Sequence, residues 1–214
     1  MSSLIINEIF HSIQGESRHM GRPSVFVRLT SCNLRCTYCD TEYAFTEGKE
    51  MSLEEILAGV DSYGCPLVEV TGGEPLMQEG VYALMNALCD RGYETLLETG
   101  GSLDISRVDP RVARIVDFKC PGSGMSHKNR WTNVGHLTAR DEVKFVIGSR
   151  EDFEWSVDRI REFGIEGRCP ILMSVVFGVL HPLELARWIL DRRLNVRLQL
   201  QMHKYIWEPE TRGV

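Results

Sequence analysis

Three cysteines stand within eight residues in the run Cys32-Asn-Leu-Arg-Cys36-Thr-Tyr-Cys39, a spacing that suits a metal centre. Four thiolates complete a 4Fe–4S site in an ordinary ferredoxin, so three in one tight loop leave an iron open to an outside ligand, and an open iron can do chemistry. Three thiolates joined by a distant cysteine or histidine would instead hold a structural zinc ion. The triad taken alone leaves both readings standing. Further along, Gly72-Gly73-Glu74-Pro75 follows an apolar run, and by itself this reads as a turn.

These groups need a scaffold, and strand-like and helix-like segments alternate along the chain to supply it. The β-rich runs are Val25–Leu29, Leu67–Thr71, Glu94–Thr99, Arg114–Lys119, Glu142–Ile147, Ile171–Val176 and Val196–Gln201. Ser52-Leu53-Glu54-Glu55 opens a helix with a capping box, and Val81, Leu84, Met85 and Leu88 mark an apolar stripe on the next. Later helices are expected over about Glu151–Phe163 and Pro182–Arg193. Such alternation predicts an α/β fold with a parallel sheet and crossover helices. A closed eight-unit barrel takes about 250 residues, so 214 residues predict an incomplete, open βα barrel of about six units. The polar, Gly-rich stretch between Lys119 and Arg140 reads as a long loop, and long loops in compact domains are often functional. Ligands of such sheets sit at the C-terminal strand ends. There the cysteine loop, the Thr71–Pro75 turn, Glu98 and the Asp117-Phe118-Lys119 run would share one rim.

Length and charge limit the functions. The 214 residues suit a single domain over 1–214. The amino-terminal segment lacks a signal-peptide pattern and no later run has the apolar length of a membrane span, so a cytoplasmic protein without a membrane partner is expected. Seven cysteines, an odd number, suit a reducing compartment, and Cys65, Cys89, Cys120 and Cys169 read as buried or incidental thiols. A net charge of −6 argues against a nucleic-acid partner. It leaves room for a local basic pocket, to which one of Arg22, Arg28 and Arg35 could contribute.

The order and spacing of Cys32, Cys36, Cys39 and Gly72–Pro75 resemble the radical S-adenosylmethionine (SAM) superfamily. That resemblance implies a barrel of the radical-SAM type, with the cysteines holding a 4Fe–4S cluster whose open iron takes the methionine end of SAM. It also implies that Tyr38, Cys39 and Asp40 flank the adenine side and that Gly73 approaches the methionine amino group. Glu98 would accept the ribose hydroxyls, and Asp117, Phe118, Lys119 and Ser174 would line the rest. Many members carry Ser-Pro-Lys in place of Asp117-Phe118-Lys119 and Gln-Pro in place of Met173-Ser174.

Four flanking elements sharpen the likeness: Ile13-Gln14-Gly15-Glu16, Phe26-Val27-Arg28-Leu29, Cys39-Asp40-Thr41 and Gln201-Met202-His203-Lys204-Tyr205. Together they resemble the 7-carboxy-7-deazaguanine synthases over essentially the whole chain. This implies a homodimeric lyase that turns 6-carboxy-5,6,7,8-tetrahydropterin into 7-carboxy-7-deazaguanine with loss of ammonia, in queuosine and deazapurine biosynthesis. The cofactors implied are the 4Fe–4S cluster, SAM and Mg²⁺, with a reductant of the flavodoxin or ferredoxin type. By the same resemblance Ile13, Gln14, Gly15, Arg28, Thr71 and His203 meet the pterin and Thr41 meets Mg²⁺. The chemistry is sound: Arg28 offers a fork to a carboxylate, and magnesium accepts a lone hydroxyl completed by substrate oxygens and water. No general acid or base is evident beyond the cluster and SAM. Two other classes share the cysteines. One is an activating enzyme acting on a partner protein, against which Gln14–Glu16 and His203–Tyr205 argue; the other is a non-enzymatic zinc-binding interaction module.

Overall fold

In the computed structural model, which describes residues 3–214, the chain opens with an antiparallel pair, β1 (Ser3–Ile13) and β2 (Pro23–Leu29). β3 (Lys49–Ser52) returns along the other side of β1. From β2 onward each new strand is parallel to the last: β4 (Leu67–Gly72), β5 (Glu94–Thr99), β6 (Ala113–Asp117), β7 (Glu142–Ile147), β8 (Ile171–Val175) and β9 (Arg197–Gln199). The nine strands form one open sheet with β3 and β9 at its edges.

The expected open barrel is present, with two strands added at its start and fewer helices than six full units require. α1 (Leu53–Asp61), α2 (Val81–Asp90), α3 (Arg150–Glu162) and α4 (Pro182–Asp191) cover the crossovers into β4, β5, β8 and β9. Among the described residues no α-helix covers the crossovers into β6 and β7. The 119–140 stretch is instead a chain of short 3-10 turns, pinned where Trp131 stacks on Phe118 and Phe163 at 4.6 and 4.3 Å. The capping box forms as expected, with Ser52 Oγ accepting from Glu55 N at 3.2 Å and Ser52 N donating to the Glu55 carboxylate at 2.7 Å.

Alternation along the strands separates two faces. Val27, Val70, Leu97, Val116, Phe145 and Met173 join the helices in one apolar core. Each fully buried side chain of this size contributes roughly 1.5–3 kcal/mol. The intervening residues line the concave side and are mostly polar: Arg28 pairs in register with Thr71, Asp117 with Lys144, and Val146 with Ser174. β1 serves both faces because its register shifts between Ile6 and Glu8. Ile6 belongs to the core, whereas Glu8 and Phe10 meet Arg28 and Phe26 on the concave side.

Candidate active site

Past β2 the chain turns at Ser31, whose φ of 81° is left-handed, and enters the cysteine loop. Cys32, Cys36 and Cys39 are free thiols, each partly buried. The loop is braced by the 119–140 segment, to which Thr37 donates twice, from its N to Ser123 O at 3.1 Å and from its Oγ1 to Gly122 O at 2.7 Å. Gly72 and Gly73 bring the end of β4 against the same loop. A Cβ on Gly72 would lie 2.3 Å from Leu29 O, and one on Gly73 would lie 2.3 Å from Ser31 O and 2.8 Å from the Cys32 Cβ. Gly72 is thus required by the last residue of β2 and Gly73 by the start of the cysteine loop. Glu74, fully buried, accepts from Leu76 N, Gly100 N and Thr99 Oγ1 at 2.8–3.1 Å and so ties the ends of β4 and β5 together.

Burial raises the pKa of all three thiols, while Lys119 pulls the other way. Deprotonation to thiolates therefore goes with metal binding. Among the described residues no three His, Cys, Asp or Glu side chains converge on a position for one metal ion. A tetrahedral zinc needs ligands at about 2.0–2.3 Å from one point; a cluster offers each thiolate its own iron. The residues fit the cluster better than the zinc.

Among the described residues, the buried polar atoms of the concave face without a protein partner include Asp117 Oδ1, Ser174 Oγ and Gln199 Oε1. Buried polar groups are nearly always satisfied, so these atoms suit a polar ligand. Lys119 Nζ bonds Asp117 Oδ2 at 2.8 Å; burial lowers the lysine pKa, but Asp117 and Cys36 outweigh it and keep the ammonium charged. Tyr38 reaches toward Val146 O at 3.5 Å, which places its ring beside Asp117 and Lys119. Glu98 accepts from Lys144 Nζ at 2.6 Å. The Phe118 side chain lies on the opposite side, fully buried against Trp131 and Phe145, so only its backbone faces the cavity. Asp117 faces the cavity, so strand parity sends its neighbour to the core.

Beneath these residues the segment after β1 closes the floor. Ile13 pairs with Pro23, at the end of β2 away from the cysteines. Gln14 Oε1 accepts from Glu16 N at 3.0 Å and its Nε2 donates to Glu69 Oε2, so this side chain is largely engaged within the protein. Glu16 accepts from Lys144 Nζ, and from Gln201 Nε2 at 2.8 Å. Met202 N donates to Gly15 O at 3.0 Å, and a Cβ on Gly15 would lie 2.2 Å from His203 Nδ1, so the glycine makes room for that imidazole. His203 opens the short helix α5 (His203–Ile206), and burial lowers its pKa. Its neighbour Lys204 reaches the cysteine loop, bonding Asp40 Oδ2 at 2.6 Å and holding that carboxyl well below the usual range against the effect of burial. Asp40 Oδ1 accepts from Thr41 Oγ1 at 2.8 Å; Thr41 stands at the start of a 3-10 turn without capping it. On the side wall Arg28 Nε bonds Glu8 Oε1 at 2.7 Å, leaving its two terminal nitrogens without a protein hydrogen bond among the described residues.

Sequence reasoning missed Lys144, Glu69 and Glu8 as members of the site. Lys144 is 5% exposed with Glu16 and Glu98 as direct partners and Asp117 Oδ2 at 3.9 Å. Burial lowers its pKa, and those three carboxylates raise it well above the ordinary value. The available signal was a charge inside an apolar strand, as in Leu67-Val68-Glu69-Val70 and Val143-Lys144-Phe145.

Comparison with known proteins places this geometry. The sequence profile of the Radical SAM superfamily matches residues 27–184. A 7-carboxy-7-deazaguanine synthase of Chlorobaculum tepidum is 50% identical over 99% of this chain and 97% of that protein. One from Koribacter versatilis is 44% identical over 98% of this chain and 99% of its own length. Among solved structures, the crystal structure of QueE from Escherichia coli superposes with a TM-score of 0.78 at 23% identity, covering 94% of this chain and 95% of that one.

Proposed function

This chain belongs to the radical SAM superfamily and, within it, to the 7-carboxy-7-deazaguanine synthases, and on that premise we propose how its residues divide the work. It is a radical-SAM lyase that forms 7-carboxy-7-deazaguanine from 6-carboxy-5,6,7,8-tetrahydropterin with release of ammonia, in queuosine and deazapurine biosynthesis. A 4Fe–4S cluster and SAM are its cofactors. The observation that carries the residue assignment is the polar concave face lying directly beneath the cysteine loop, with unpartnered Asp117, Ser174 and Gln199 atoms on it.

Cys32, Cys36 and Cys39 hold the cluster. When bound, the cluster and SAM together supply a 5′-deoxyadenosyl radical that abstracts hydrogen from substrate. Tyr38, Asp117, Lys119 and Ser174 bind and orient SAM, with Cys39, Asp40 and Gly73 at its edge and Glu98 at its ribose. Phe118 contributes backbone alone. Arg28 directs its free terminal nitrogens to the substrate carboxylate, and Thr71, its register partner, shares that wall. Gln14, Gly15 and His203, with Ile13 behind them, form the floor on which the pterin ring rests. Thr41 gives its hydroxyl to Mg²⁺, supported by Asp40 at 2.8 Å. Thr41→Ala would then need more magnesium for the same turnover, and an unchanged magnesium response removes this assignment.

Residues 1–214 act as a single domain, in the cytoplasm, where a reducing environment keeps the cysteines available. Among the described residues no helix is long and apolar enough to cross a membrane. A second copy of the chain pairs with this one, supported by exposed Leu190, Leu198 and Leu200 at and near the free β9 edge. A flavodoxin- or ferredoxin-type donor delivers electrons across exposed Asn33, Arg35 and Thr37. The test of the reading is anaerobic incubation of cluster-loaded protein with SAM, Mg²⁺, reductant and carboxytetrahydropterin. A product of the mass of carboxydeazaguanine is expected, and unchanged pterin would overturn the reading.

A further inference from the structure

Glu69 sits on the concave face of β4, 4% exposed and in register with Phe26, whose ring stacks on Phe10 at 4.9 Å. Its Oε2 accepts from the Gln14 amide, and its Oε1 bonds no protein group among the described residues. Arg28 lies one strand over and two residues further toward the cysteine loop. With strands about 4.8 Å apart and about 3.3 Å per residue, the two Cα atoms are about 8 Å apart. Both side chains rise from the same face of the sheet, so by splaying apart they can address opposite ends of one planar ligand. We propose that Glu69 determines specificity for the pterin, pairing its carboxyl with the 2-amino and N1 edge of the pyrimidine while Arg28 grips the carboxylate at the other end.

This inference rests on the assignment of Arg28 to the substrate. The surroundings favour a neutral carboxyl: burial, then the Glu98 and Glu16 carboxylates, raise the Glu69 pKa well above the ordinary value, against the Gln14 amide and the Lys144 ammonium. Of the other charges on the concave face, Arg28 is paired with Glu8 and Lys119 with Asp117. A neutral carboxyl has one donor and one acceptor, since Oε1–H can give to ring N1 while Oε2 takes a second hydrogen bond from the 2-amino group. An ionised carboxylate would lose the donor, so substrate binding weakens as pH rises through the Glu69 pKa.

The experiment is anaerobic equilibrium binding of carboxytetrahydropterin, and of the same ring without its 2-amino group, to cluster-loaded protein with SAM. Wild type should prefer the amino ligand. Glu69→Leu should weaken it roughly tenfold and bring the two ligands level. Glu69→Gln, which keeps a donor and an acceptor, should stay within about threefold of wild type and lose the weakening at high pH. If Glu69→Leu weakens both ligands by one factor, or neither, Glu69 does not read the ring. If Arg28→Ala leaves both affinities intact, the assignment beneath the proposal fails instead. Iron content and SAM affinity show that each variant is folded.

Discussion

Along β7, Val143, Phe145 and Ile147 turn to the helices, while Glu142, Lys144 and Val146 turn to the cavity. The outward set needs only volume and apolarity, because dispersion and the hydrophobic effect are non-directional. The inward set depends on named partners. Lys144 without Glu16 and Glu98, or either acid without Lys144, leaves a buried charge uncompensated, which costs more than the intact pair contributes. One strand therefore carries two kinds of constraint, one that tolerates substitution in kind and one that does not.

Four outcomes probe this contrast. Cys36→Ala, on the cavity side, should lose the cluster and all turnover, whereas Cys89→Ala, on α2, should leave iron content unchanged. A Cys36→Ala protein with its full iron would erase the distinction. Phe145→Ala, on the outward face and fully buried, should cost about 3–5 kcal/mol in urea unfolding while SAM affinity of the folded protein stays the same. A loss of SAM affinity at constant stability would show that the two faces are not separable.

Arg28→Ala should raise the apparent substrate constant roughly tenfold or more, at about 1.4 kcal/mol per factor of ten, with cluster content near normal. Arg28→Lys should recover part of this, because an ammonium lacks the fork. Intact pterin binding with a lowered melting temperature would make Arg28 merely the structural partner of Glu8. The smallest effect concerns Glu98, whose pKa burial and Glu16 raise from 4.5 to about 7, against the pull of Lys144. The folded state then holds that proton more tightly than the unfolded chain, so this stabilisation is present below about 4.5 and lost as pH rises through about 7. Glu98→Gln should flatten the stability slope across that interval, and an identical slope in both proteins would refute the contribution.

Strands β2 and β4 to β9 were legible because their apolar residues are mostly β-branched or aliphatic and the runs are bounded by turns. β1 was not, since the register shift after Ile6 moves its apolar residues from one face to the other and breaks the period. β3 is four residues at a sheet edge and offers almost no pattern. Within the site, the cysteine triad and Gly72–Pro75 were legible because each lies in one short stretch of chain. The Lys144 network was not, because its partners stand 46 and 128 residues away. The core-side placement of the Phe118 side chain was readable from its parity with Asp117.

The C-terminal segment that completes the floor has a consequence for the timing of synthesis. Gln201 reaches back 185 residues to Glu16, and Lys204 reaches back 164 residues to Asp40. At about 5–20 residues per second, roughly 10–30 s separate the emergence of Asp40 from that of Lys204, which binds it. For that interval the cavity of a nascent chain lacks its floor, and Asp40 and Glu16 lack these partners. The polar floor is thus among the last parts of the site that can form, after every strand of the sheet has been made.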